Sequence, residues 1–115
     1  MATSDLKIFT KTEHLLYRIY PNLINFPKAE KFALSQDIKL NFFELLKSIS
    51  LADKVKSKRM LHSQEADGYL QLLKVQFKLA YKRKYISKGF FKDIDLEFTE
   101  IGKMLSGYIR SINKK

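Results

Sequence analysis

Apolar residues recur along the chain at alternating steps of three and four positions, the spacing that places them on one face of an α-helix. This pattern predicts four helices, over residues 11–26, 28–52, 63–86 and 91–112. The last helix is the most regular, and its apolar stripe runs through Ile94, Phe98, Ile101, Leu105, Tyr108 and Ile112. Because the connections are short, we expect consecutive helices to run antiparallel.

Local signals indicate where these helices begin. Thr10 and Glu13 have the spacing of a capping box, and Ser63 is a suitable N-cap for the third helix. Pro27 suits the first turn of the second helix, because a proline there loses no hydrogen bond. Pro21 lies inside the first helix and should kink it or end its first part, since proline has no N–H to donate.

The predicted fold class is all-α: a single domain over residues 1–115, built as an antiparallel up-and-down four-helix bundle. Helices two, three and four carry more apolar residues than one core stripe requires. A second subunit of a homo-oligomer would bury this surplus, but a wide core within one chain would bury it equally well. The pattern leaves both explanations open.

Composition supports this class. With four Gly and two Pro, the chain lacks the turn residues that an all-β domain of 115 residues needs. It has no Cys, so neither a disulfide framework nor a thiolate metal site is possible. Apolar runs do not exceed three residues, which is too short for a signal-peptide core or a membrane span. We therefore expect a soluble, cytoplasmic protein with no membrane partner.

Positive charge is concentrated in the middle of the chain. The formal net charge is +10, and residues 31–62 and 63–90 each contribute +4. Residues 74–88 contain six cations and no acid, and three of the lysines recur at intervals of four, on one helix face. Because these cations repel one another, we expect a polyanion or an acidic partner to bind them. The residues predicted to bind are Lys56, Lys58, Arg59, Lys74, Lys78, Lys82, Arg83, Lys84 and Lys88.

Two tyrosines alternate with these cations. Tyr81 and Tyr85 could stack on unpaired bases, as in proteins that bind single strands, or they could pack in the core beside a solvated charged face. No base-reading motif accompanies the basic run, so binding should depend on shape and charge.

The sequence gives no indication of catalysis, a metal or a cofactor. His14 and His62 lack the spacing of metal ligands, and there is no phosphate-binding glycine loop or nucleophile motif. Four acids fall in the first turns of the predicted fourth helix, where the helix dipole favours negative charge: Asp93, Asp95, Glu97 and Glu100. We expect a protein that binds macromolecules and is not an enzyme.

Small residues interrupt the last helix, although glycine there costs roughly 1 kcal/mol relative to alanine. Gly102 and Ser106 lie four residues apart on one face, where another helix could approach closely; a frayed or bent terminal helix is the alternative. The predicted oligomer contact comprises Gly102, Ser106, Gly107 and Tyr108.

Residues 100–108 read Glu-Ile-Gly-Lys-Met-Leu-Ser-Gly-Tyr. They resemble the closing motif of the accessory variability determinant proteins of diversity-generating retroelements. That family usually has Gly and Trp where this chain has Ser106 and Tyr108, so size and aromatic character are kept.

Two weaker matches extend the resemblance over residues 15–112. Phe26-Pro27-Lys28, followed by Lys31-Phe32, is similar to the family's entry into its second helix. The basic, leucine-rich segment 69–85 is similar to its third helix. Pro21 is unusual for the family pattern.

The resemblance implies a four-helix bundle that assembles as a basic homopentameric barrel. It also implies binding to the retroelement's reverse transcriptase and to RNA or DNA during mutagenic retrohoming, with no enzymatic activity. A related bundle family, encoded by intervening sequences in 23S ribosomal RNA genes, shares the Phe-Pro-Lys entry and is the alternative. A purely structural homo-oligomer, whose charge serves solubility, is a third hypothesis.

Overall fold

The computed structural model describes residues 3–113, which form four long helices and contain no β-strand. The helices are α1 (Thr3–Leu23), α2 (Leu34–Lys54), α3 (Arg59–Lys82) and α4 (Lys88–Asn113). Short 3₁₀ helices, Lys28–Glu30 and Lys56–Lys58, occupy the first two connections. The all-α class and the number of helices are therefore confirmed.

Adjacent helices run in opposite directions around a closed ring. Contacts of Lys11 with Glu100 and of Arg18 with Asp93 pair α1 with an antiparallel α4. α2 packs on α3, where Asn41 Nδ2 donates a hydrogen bond to Gln76 Oε1 (3.0 Å). The bundle measures 47 × 25 × 19 Å, the proportions of a rod.

The predicted apolar stripes form one continuous core along the bundle axis. At its centre the ring of Phe98 lies 5.9 Å from that of Phe42 and 5.7 Å from that of Phe77, measured between centroids. These three rings come from α2, α3 and α4 and are almost completely buried. Burial of such rings dominates core energetics, so this cluster joins three of the four helices.

Three helices begin earlier than predicted: α1, α3 and α4, the last at Lys88 where residue 91 was predicted. α1 extends to Thr3, because Ile8 is buried in the core and continues the apolar stripe; Thr10 thus lies within the helix and caps nothing. α3 begins at Arg59, and Ser63 is a buried residue of its second turn whose Oγ donates to the Arg59 carbonyl (2.7 Å). Serine and threonine near an apolar run resemble caps, but packing decides where a helix begins.

The prolines lie at the α1–α2 connection. Pro21 is exposed in the last turn of α1, which ends two residues later at Leu23. Pro27 precedes the first 3₁₀ helix, and α2 starts only at Leu34, later than the predicted residue 28. The fixed φ of Pro27 therefore starts a short 3₁₀ turn and not the α-helix.

The α3–α4 turn uses a lysine in the left-handed conformation, where glycine is more usual. Lys84 has φ 65°, and the amides of Lys84 and Tyr85 donate to the carbonyls of Tyr81 (2.9 Å) and Ala80 (2.8 Å). This pair of bonds is a Schellman motif, which ends α3 four residues before the predicted end. Ser87 then caps α4, accepting a hydrogen bond from the Phe90 amide (3.1 Å).

Candidate nucleic-acid interface

The acids of α4 neutralise cations on α1. Lys11 Nζ lies 2.6 Å from Glu100 Oε2 and 3.2 Å from Glu97 Oε1, and Arg18 contacts Asp93 (3.3 Å). The hydrogen bond to Glu100 is the main reason why the pKa of Lys11 is raised. A raised pKa means that folding favours the ammonium form, and this stabilisation is lost only as the pH rises through that pKa.

This arrangement corrects the interpretation of the acids as partners of the helix dipole. α4 begins at Lys88, so Asp93 is its sixth residue and the first turn contains no acid. Asp93, Glu97 and Glu100 contact cations of α1. These three acids therefore do not pair with the cations of α3.

Lys74, Lys78 and Lys82 share one face of α3, as their spacing predicted, and Lys74 and Lys78 lie beside α4. Within residues 3–113 none of the three lies within 4.0 Å of a carboxylate. Lys74 and Lys78 line an open cleft between α3 and α4, together with Gln71, Val75, Phe91 and Asp95. Here Asp95 is a nearby acid that partly offsets their charge.

A second cleft between α3 and α4 shares Lys74 with the first and lies toward the C-terminal end of α4. It is lined by Lys74, Thr99, Gly102, Lys103, Ser106 and Arg110, and we call the two clefts together the α3–α4 groove. The positive charge of the α3–α4 groove therefore comes from lysines of α3 and from Lys103 and Arg110 of α4. The small residues Gly102 and Ser106 lie between them in the lining. An added Cβ at Gly102 would lie 3.5 Å from Leu70 Cδ2, an ordinary contact, so the packing of this chain alone does not require glycine there.

Sequence reasoning missed Lys103 and Arg110. They lie seven residues apart and thus on one face of α4, the face that also carries Gly102 and Ser106. That spacing was a usable signal. The regional net charge of only +1 over residues 91–115 obscured it, because that sum includes Asp93, Glu97 and Glu100, which contact α1 and not the groove.

The predicted oligomer contact residues do not share a face. Gly102 and Ser106 line the α3–α4 groove, whereas Gly107 lines a separate cleft beside Lys7 and Ile8 of α1. Tyr108 is 9% exposed and belongs to the core, where its hydroxyl donates to the Ala52 carbonyl (3.3 Å). A role in subunit contact stays a prediction for these residues.

Arg59 has a structural role that the sequence did not indicate. Its Nε donates to the Ala52 carbonyl (2.8 Å) and its Nη2 to the Asp53 carbonyl (2.7 Å). These carbonyls lie at the C-terminal end of α2 and have no intrahelical partners, so the guanidinium satisfies them. Its positive charge also lies at the negative end of the helix dipole, where a cation is stabilising. The partner-binding role assigned to Arg59 stays a prediction.

Replacing Arg59 with glutamine should destabilise the bundle by about 1.5–3 kcal/mol, because hydrogen bonds from a charged group to terminal carbonyls are lost. Urea denaturation followed by circular dichroism measures the change. Lys58→Gln is the matched control: Lys58 is exposed, and its replacement should alter the free energy of unfolding by no more than about 0.5 kcal/mol. Equal unfolding midpoints for the two variants would contradict the capping role.

The basic segments lie at opposite ends of the bundle. Lys56 and Lys58 precede α3, whereas Lys82 is its last residue and Arg83 and Lys84 follow it. Since an α-helix rises 1.5 Å per residue, these two groups are separated by about 35 Å. The cations predicted together thus form two sites within one chain, with Lys88 beside the second at the start of α4.

Both tyrosines of the basic run have intramolecular partners. The ring of Tyr81 stacks on that of Phe91, with centroids 4.7 Å apart and planes inclined by 1°. Tyr85 packs against Phe26 (5.3 Å), and its hydroxyl donates to Glu30 Oε2 (2.9 Å). Tyr85 therefore packs against the core, as one interpretation predicted, whereas Tyr81 is half-buried and Phe91 covers one face of its ring.

The histidines also have ordinary surroundings. His62 Nδ1 lies 2.6 Å from Glu65 Oε1 on the same helix, and His14 is exposed on α1. In the described part of the chain, no three His, Cys, Asp or Glu side chains converge as a metal site would require. None of the helices over residues 3–113 is both long and apolar enough to span a bilayer.

Comparison with known proteins identifies one family. A family model described as bAvd-like matches residues 6–112, which is nearly the whole chain. Comparisons with curated proteins and with solved structures gave no significant match.

Proposed function

Because the chain belongs to the bAvd-like family of accessory variability determinant proteins, we propose that it is the non-enzymatic accessory protein of a diversity-generating retroelement. In this role it binds the reverse transcriptase and holds RNA or DNA against its basic surface during mutagenic retrohoming. The match over residues 6–112 favours this assignment over the alternative family of 23S ribosomal RNA intervening sequences. Proteins of the bAvd-like family are generally not enzymes.

The observation that carries the nucleic-acid part is the uneven pairing of charge. Lys11 and Arg18 on α1 have acidic partners on α4, whereas Lys74, Lys78 and Lys82 on α3 have none among the described residues. Unpaired cations along a groove attract a phosphate backbone, because binding releases the counterions that the backbone holds. The α3–α4 groove has the length of several nucleotides, about 28 Å between the levels of Phe91 and Arg110.

The proposal includes a homo-oligomer, with a pentamer as the form that the family resemblance implies. Exposed apolar residues support it: Leu40 and Phe43 on α2, and Leu72, Val75 and Leu79 on α3. The Asn41–Gln76 hydrogen bond joins the two helices beside these residues. Of the other apolar residues beyond the core stripes, Leu46, Tyr69 and Ile86 pack against the core of their own chain. The surplus apolar surface is thus divided between a wide core and an exposed face.

Size-exclusion chromatography with light scattering tests assembly and partnership together. The purified chain alone should elute with a mass several times 13.5 kDa. Mixed with the reverse transcriptase of the retroelement, it should form a heavier complex. Because salt screens exposed charges, a complex that the basic surface holds should dissociate at high salt. A monomeric chain that leaves the elution of the polymerase unchanged would refute the proposal.

A further inference from the structure

Phe32 and Ile24 are the most exposed large apolar residues among those described, at 81% and 79%. Both lie at the connection between α1 and α2. A single exposed apolar side chain is common and means little by itself. Here the charges that surround the exposed ring distinguish it.

Tyr85 holds the α1–α2 connection against the α3–α4 turn. Its ring packs on Phe26 and its hydroxyl donates to Glu30, so both connections meet at one end of the bundle. Arg83 lies in the same turn, two residues before Tyr85. Its interaction with Tyr85 and, more weakly, the charge of Glu30 raise the pKa of its guanidinium.

This end of the bundle carries five residues of interest, which we call the Phe32 end: Lys28, Lys31, Phe32, Arg83 and Lys84. Lys31 Nζ lies 5.4 Å from the centroid of the Phe32 ring. The four cations are exposed and outnumber the neighbouring acid Glu30, which keeps its charge while it accepts a hydrogen bond from Tyr85. The surroundings of the ring are therefore strongly positive.

Other partly exposed rings are less suitable for a base. Tyr17 donates its hydroxyl to Glu13 (2.7 Å), which places a carboxylate beside it. Tyr20 is 42% exposed, about half the exposure of Phe32, so less of its ring is open to a base. Phe43 lies on α2 near Leu40, in the apolar face already assigned to subunit contact.

We infer that the Phe32 end binds single-stranded RNA or DNA, with an unpaired base stacked on Phe32 and the adjacent phosphates bound by the four cations. An exposed aromatic ring among cations is the combination by which proteins bind single strands without reading their sequence. A duplex offers the same phosphates but keeps its bases stacked on one another. This inference rests on the proposed nucleic-acid binding and specifies the form of nucleic acid that is bound.

The experiment uses Phe32→Trp, because the chain has no other tryptophan and its indole fluorescence then reports on this position alone. Titration with a single-stranded oligoribonucleotide should quench the emission, since a stacked base quenches indole. A duplex of the same length should quench it much less. Tyr17→Trp, at another exposed aromatic position but beside a carboxylate, should keep its emission with both.

Affinity provides a second measurement on the unlabelled chain, using fluorescence anisotropy of the same oligonucleotides. Phe32→Ala and Phe32→Leu should both weaken single-strand binding, by about 5- to 150-fold for the loss of one stacked base, and Phe32→Tyr should not. Duplex binding should change little. If Phe32→Leu binds as tightly as the original chain, apolar contact and not stacking is responsible, and the inference is wrong.

The remaining outcomes also decide between explanations. If the Phe32→Trp variant binds single strands while its indole emission stays unquenched, the inference is refuted and the proposed function is left intact. Emission of this variant that shifts to the blue with protein concentration, without nucleic acid, means that a second copy of the chain covers position 32, which likewise refutes the inference. If the original chain binds no nucleic acid at all, the nucleic-acid part of the proposed function fails together with the inference.

Discussion

Replacing Lys78, Lys82 and Arg83 with glutamine is expected to weaken RNA binding about a hundredfold at about 0.1 M salt. Each lost phosphate contact lowers the slope of log affinity against log salt by about 0.7 for a single strand, so three contacts lower it by about 2. The side chains are exposed, so their loss should not unfold the chain. Fluorescence anisotropy at several salt concentrations measures both quantities.

The control must remove the same charge elsewhere. Lys7, Lys39 and Lys47 lie on α1 and α2 and do not line the α3–α4 groove, and their replacement with glutamine also lowers the net charge from +10 to +7. This control should retain most of the affinity. If both triple variants bind equally well and remain folded and assembled, Lys78, Lys82 and Arg83 are only solvated charge and do not bind the nucleic acid.

The largest effect on stability is expected for Phe98→Ala. Phe98 is 1% exposed and lies between the rings of Phe42 and Phe77, so its removal leaves a cavity that three helices cannot easily close. Such substitutions typically cost about 3–5 kcal/mol. Urea denaturation at one fixed protein concentration measures this, because the stability of an oligomer depends on concentration.

Leu96→Ala provides the comparison on the same helix. Leu96 lies two residues away and is 64% exposed, so its replacement should change the free energy of unfolding by less than about 0.5 kcal/mol. A loss below about 1 kcal/mol for Phe98→Ala would mean that the aromatic cluster does not hold the bundle together.

Some features followed from sequence because they depend on local periodicity. The stripe from Ile94 to Tyr108 identified one face of α4, and those residues are buried as predicted. The spacing of Lys74, Lys78 and Lys82 likewise placed them on one face of α3, because helical geometry fixes which residues are neighbours. Family membership also followed from sequence, since residues 100–108 lie within the segment that the bAvd-like family matches.

Other features depend on residues far apart in the chain, and local patterns carry no information about them. Arg59 appeared to be part of a basic run, yet it caps α2, because tertiary packing brings it to the carbonyls of Ala52 and Asp53. Tyr81 has the right neighbours for stacking on a base, but the antiparallel pairing of α3 and α4 places Phe91 against its ring.

The division of charge shows the same dependence on tertiary structure. Sequence by itself determined that the chain is basic, helical and amphipathic. Only the packing of α1 against α4 decided which cations Glu97, Glu100 and Asp93 neutralise, and only the packing of α3 against α4 brought Lys103 and Arg110 into one groove with Lys74. Coulomb interactions fall with distance in space and not along the chain, so the binding surface is a property of the folded bundle.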